Sequence, residues 1–64
     1  MNKLYAGDDY KSFSLIFELD SHEIEYELHN KDEADDLGLG KLPVLIVGNK
    51  VLDYKRAMRC AKKG

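Results

Sequence analysis

The segment Leu42-Pro43-Val44-Leu45-Ile46-Val47-Gly48-Asn49-Lys50-Val51-Leu52-Asp53 constrains the fold of this chain more than any other stretch. Its apolar, β-branched run after a turn predicts a buried strand. Gly48-Asn49-Lys50 is a tight hairpin signal, and Val51-Leu52 starts the return strand. Asp53 then supplies a capping carboxylate for a last helix, Tyr54 to Lys62, with Ala57, Met58 and Ala61 on its inner face. Read without any further context, Pro43 is a proline that opens a strand.

The residues before this segment supply the other half of a layered fold. Asn2 to Ala6 reads as a short strand buried on both faces, and Gly7-Asp8-Asp9 breaks it. Asp8 or Asp9 caps a helix whose apolar face is read from Tyr10, Phe13, Ile16, Phe17 and Leu19, spaced at three- and four-residue steps. Asp20-Ser21 ends it. From there the period becomes two: Ile24, Tyr26 and Leu28 alternate with Glu23, Glu25 and Glu27. That is a strand with one wet, acidic face, and its like charges place it at a sheet edge. Asn30 caps a short helix to Leu37, with Asp32 and Glu33 in its first turn and Gly38 or Gly40 as its stop. The predicted order is strand-helix-strand-helix-strand-strand-helix, in one α/β domain over residues 1–64. The first crossover gives a parallel pair and the late hairpin an antiparallel one, so the sheet is four-stranded and mixed, with flanking helices.

Sixty-four residues bury only about 60% of the surface exposed by the unfolded chain, enough for one modest core. Cys60 is the single cysteine, so an internal disulfide is ruled out and a reducing compartment is favoured. Met1 to Asp9 turns acidic at once and does not resemble a signal peptide, and no apolar run approaches a membrane span. The expectation is a soluble, cytoplasmic protein. Net charge is −2, but it is segregated: residues 18–36 hold nine acids, and residues 55–63 hold five bases. Without a continuous basic track, nucleic acid is a poor partner. The basic end suits a helix C-terminus, with a docking patch as the rival reading.

With these elements in order, the chain resembles the glutaredoxin family of the thioredoxin-fold superfamily. Three stretches carry the resemblance: Ile24-Glu25-Tyr26-Glu27, Leu42 through Leu52, and Asp53-Tyr54-Lys55-Arg56-Ala57. The resemblance implies a minimal thioredoxin fold and a cis peptide bond at Leu42–Pro43, beside a groove that binds an extended thiol peptide. It places the family's Cys-x-x-Cys motif on Asp9-Tyr10-Lys11-Ser12, where both thiols are absent. Disulfide exchange begins with a thiolate attacking sulfur. A carboxylate and a hydroxyl cannot do this. The helix-end field that would activate a cysteine instead stabilises a charged Asp9, whose expected role is a cap worth about 0.5–2 kcal/mol.

The resulting expectation is a redox-inactive binding or regulatory module with no catalytic residues, no cofactor and no metal, whose partner is a protein or peptide. Its candidate contact residues are Asp9, Tyr10, Ser12, Leu42, Pro43, Asp53 and Tyr54. Tyr10 reads either as a contact aromatic or as a plug for the vacated groove. The alternative is a residual glutathione-dependent oxidoreductase or glutathione-binding protein. There the Leu42 backbone and the start of the last helix would meet the anionic tripeptide, weakly because Asp8 and Asp9 stand nearby. Cys60 reads as a small buried hydrophobe, with a chain-linking thiol as the rival. His22 and His29 read as surface histidines on opposite faces of an extended strand. The carboxylates at 32–36 lack the glycine turn and ligand spacing of a calcium loop and read as a solvated helix face.

Overall fold

In the computed structural model, which describes residues 2–63, the two most apolar segments occupy the middle of the sheet. β1 (Lys3–Tyr5) and β3 (Val44–Val47) are flanked by β2 (Glu27–His29) and β4 (Lys50–Leu52) in the order β2-β1-β3-β4. β2 runs parallel to β1, while β1–β3 and β3–β4 are antiparallel. Leu4 lies between Leu28 and Leu45 in the ladder. The acidic strand sits at the edge, where its carboxylates reach water. Val47 pairs with Lys50 across a two-residue loop. Gly48 takes φ +63° there, a conformation that costs glycine nothing.

Three helices complete the described residues: α1 (Tyr10–Ser21), α2 (Lys31–Asp36) and α3 (Tyr54–Lys62). The fold is therefore mixed α/β with a four-stranded mixed sheet. Leu4, Ala6, Leu15, Leu19, Leu45, Ala57 and Ala61 form the core, with Ile24, Tyr26, Val47, Leu52 and Met58 partly buried around it. Each of the four fully buried leucines contributes about 1.5–3 kcal/mol of transfer free energy. The small side chains of Ala57 and Ala61 let α3 approach β3 and α1 closely.

Two helices end in the same way. After α2, the N–H of Leu39 reaches the carbonyl of Ala34 and that of Gly38 reaches Asp35, with Gly38 at φ +74°. After α1, the N–H of Ile24 reaches Leu19 and that of Glu23 reaches Asp20. Both are Schellman closures. In the second, the left-handed position is filled by Glu23 at φ +56°, where a Cβ carries a steric cost. This closure turns the chain inward and anchors Ile24 and Tyr26 at the core, so ladder pairing begins only at Glu27 rather than at Ile24. Leu28, expected on the inner face with them, is exposed.

The face of α1 also differs from the expected one. Ser12, Leu15 and Leu19 are buried, Ile16 is partly buried, and Tyr10, Phe13 and Phe17 point to solvent. A second stripe, at the same three- and four-residue steps, packs inward. It closes over Ser12, whose hydroxyl is fully hydrogen-bonded and so is tolerated in the core. Cys60 departs from expectation as well: it is exposed, flanking the buried seam of Ala57 and Ala61.

Candidate functional site

The start of α1 is a small network of polar groups. Asp9 is the N-cap residue, but its side chain makes no capping bond to the backbone. Its Oδ1 instead accepts the Ser12 hydroxyl proton. Ser12 Oγ in turn accepts the Gly7 N–H at 3.0 Å. The three residues thus lock the β1–α1 loop onto the first turn of the helix. The Ser12 hydroxyl holds the Asp9 carboxyl below the usual carboxylate range, with the local backbone N–H groups and Lys11 acting in the same direction. Ser12 is 0% exposed, so it serves the loop and presents no surface to a partner.

The start of α3 is built differently. The Asp53 side chain accepts the backbone N–H of Arg56 at 2.9 Å, as a helix cap should. Leu42 and Pro43, joined by a cis peptide bond, stand beside this helix start. Together Leu42, Pro43, Asp53 and Tyr54 line an open cleft of about 350 Å³. Four of the seven expected contact residues therefore share one hollow.

The same lining is cationic. Lys11, Lys41 and Lys55 belong to it, and the Lys11 ammonium sits 5.5 Å from the centroid of the Tyr54 ring. Three lysines against one carboxylate, itself engaged as a cap, give the cleft lining a positive balance. Asp8 and Asp9, expected to stand near an anionic ligand, are not among the residues lining the cleft. Asp9 faces an adjoining hollow with Asp8, Lys31 and Asp35, which shares Leu42 with the cleft. Leu42 is in reach of that loop: a Cβ on Gly7 would lie 3.7 Å from its Cδ1. Tyr10 also lies outside the cleft, on the outer face of α1 with Phe13 and Phe17. The signal for the lysines was present in the sequence, since Lys41 precedes Leu42-Pro43 directly and Lys55 sits in the first turn of α3.

His29 is the other residue whose setting the sequence did not reveal. Its ring stacks on Tyr5, with centroids 4.6 Å apart and planes 17° from parallel. Nδ1 is bonded to Glu33 of α2, and Nε2, shut off from solvent, stands in ion-pair contact with Glu27 of β2. The bond to Glu33 raises the His29 pKa and lowers that of Glu33, with Glu27 acting on His29 in the same direction. His29 is thus engaged from both ring nitrogens rather than a surface bystander, and it ties the edge strand to the short helix. His22 pairs only with Glu18, one turn earlier on α1. Among the described residues, no group of three or more His, Cys, Asp or Glu side chains is placed to hold a metal ion. Among them too, no helix is long and apolar enough to cross a membrane.

No family model, curated protein or solved structure matches the chain.

Proposed function

We propose that this chain is a redox-inactive binding module of glutaredoxin-like, thioredoxin-fold type that takes an extended anionic ligand, a peptide or a glutathione-like tripeptide, in the cleft beside Pro43. The observation that carries this reading is the cleft itself. It joins Leu42 and Pro43 to the capped start of α3 and surrounds them with Lys11, Lys41 and Lys55. The backbone next to Pro43 offers hydrogen-bonding groups to an extended chain, and the lysines supply attraction to carboxylates. Asp9 and Ser12, onto which the resemblance maps the family's thiols, are bonded to each other and close the β1–α1 loop. Cys60 is not among the residues lining the cleft, which weighs against a residual oxidoreductase and leaves anionic binding as the supported half of that alternative.

NMR titration with glutathione and with acidic tetrapeptides tests the proposal. The amide resonances of Lys41, Leu42, Tyr54 and Lys55 are expected to move together, and Lys41→Glu with Lys55→Glu is expected to abolish the movement. Titrations that leave these resonances still would remove the binding role. The mapping of the motif has its own test. Asp9→Cys with Ser12→Cys is expected to fold and to gain disulfide exchange, because the two side chains already touch. A folded double variant with no exchange would show that residues 9–12 are not the motif position.

A further inference from the structure

The outer face of α1 is apolar where a helix of a monomer is normally polar. Tyr10, Phe13 and Phe17 lie at three- and four-residue steps and are 81%, 55% and 69% exposed. Toward α3 they border a hollow of about 390 Å³ whose far wall is Tyr54 and Met58. Toward the sheet edge, Phe13 shares a second hollow with Ile16 and Leu28, and Leu28 is 59% exposed. The two hollows meet at Phe13, so the apolar surface is continuous from Met58 to Leu28. Monomeric proteins rarely leave such a surface bare.

The rims of this surface carry opposite charge. On the α3 side, Lys11 and Lys55 stand around Tyr54, and Arg59 follows Lys55 one helical turn on. Glu18 is the acid lining the hollow on that side, one carboxylate against these three bases. On the sheet-edge side, Asp8 and Glu33 line the hollow with Phe13 and Leu28. Glu33 shares His29 with Glu27, so two carboxylates meet one imidazole there, beside Asp8. A surface that is apolar in the centre, basic on one side and acidic on the other complements itself.

We propose that this face is the interface of a homodimer, with a second copy of the chain as its occupant. The rims select one geometry. A two-fold axis in the plane of the patch and along α1 sets each copy's basic rim over the other's acidic rim. An axis across α1 would set like charge on like. The pairing is isologous, as closed two-fold dimers require. An interface of ordinary size covers about 800 Å² per partner, roughly a sixth of the 4623 Å² accessible on this chain.

Sedimentation equilibrium on the intact chain, from micromolar to millimolar concentration, is the test. A monomer–dimer equilibrium is expected, and Phe17→Glu is expected to weaken it about tenfold or more. Phe17 is exposed, so circular dichroism should show an unchanged fold. The rims give a second, independent readout on residues far from the core. Lys55→Glu with Arg59→Glu, and separately Asp8→Lys, should each weaken self-association. An equimolar mixture of the two variants should associate more tightly than either alone, because opposite rims then face each other across both sides of the dyad. A chain that stays monomeric throughout, a dimer indifferent to Phe17→Glu, or a mixture no tighter than its components would each overturn the proposal. The first of these would leave the patch to a different protein.

Discussion

Two helices of this protein begin with the same residue and use it in opposite ways. Asp53 turns its carboxylate onto the backbone N–H of Arg56 and completes the first turn of α3. Asp9 holds the same N-cap position in α1 but turns its carboxylate onto the Ser12 hydroxyl. The first arrangement stabilises a helix end. The second fastens a loop, because Ser12 also accepts the Gly7 N–H. The difference follows from what lies at the fourth position. Arg56 offers only its backbone to Asp53, whereas Ser12 is buried and must find partners for its own hydroxyl. An identical residue at an identical helix position therefore serves the local backbone in one case and tertiary structure in the other.

The comparison breaks most readily at Ser12. Ser12→Ala removes both hydrogen bonds, leaves the Gly7 N–H without its acceptor, and should cost about 1–3 kcal/mol in urea denaturation. It should also release Asp9: without the Ser12 hydroxyl, the Asp9 carboxyl should titrate closer to the ordinary carboxylate range in a carbon-detected NMR titration. The linkage is that of a depressed carboxylate. Its stabilisation is present above the unfolded-state value and fades as pH falls through the folded one, so the acid limb of wild-type stability should flatten in Ser12→Ala. A variant as stable as wild type, with an unmoved Asp9, would show that the loop lock is decorative.

Asp53→Ala is the matched and smaller perturbation. It removes one exposed cap, at about 0.5–2 kcal/mol. Its consequence should stay in the first turn of α3, seen as faster amide exchange at Arg56, with the Gly7 amide unaffected. If Asp53→Ala disturbed the β1–α1 loop as much as Ser12→Ala does, the two helix starts would not be the separate devices described above.

How far each start could be read from sequence follows the same division. Asn30 and Asp53 were legible as caps because capping is local: the residue, its neighbours and the apolar run that follows are enough. The sheet, its central strands and its acidic edge were legible because period-two patterning and hairpin chemistry are also local. Asp9 was legible only as a cap, since its real partner depends on which face of α1 turns inward. That face was misread because α1 carries two stripes at helical spacing, and the more aromatic one is outside. Hydrophobicity alone favours Tyr10, Phe13 and Phe17, whereas the packing favours Leu15 and Leu19, which sit deeper against β1 and β3 with Ser12 below them. Cys60 was misassigned for a related reason: one residue along from Ala61 is enough to leave the narrow alanine seam. The lysines of the cleft come from three separate parts of the chain, α1, the loop before Pro43 and α3, and only the fold brings them together.

The start of α2 sharpens the comparison at its finest scale. Asn30 caps it through the Glu33 N–H at 2.9 Å, and Glu33 reaches back to the Asn30 N–H at 3.3 Å. Glu33 is also the partner of His29, so this cap has the local form of Asp53 and a tertiary tie like that of Asp9. The tie depends on two titrations. His29 has its pKa raised, so its contribution is complete below the ordinary histidine value of about 6.5 and is lost as pH rises through the folded value. Glu33 has its pKa lowered, so its contribution is complete above the ordinary glutamate value of about 4.3 and is lost as pH falls through the folded value. The two windows overlap between those values. Wild type and His29→Gln should therefore differ most in melting temperature between about pH 4.5 and 6.5. The gap should narrow as pH falls through the lowered Glu33 value and as it rises through the raised His29 value. Loss of the stacking on Tyr5 adds an offset at every pH, so the curvature of the difference, rather than its size, reads the ion pair. A difference that stays level from acid to base would mean that the ring matters for its shape alone, and that α2 is capped as locally as α3.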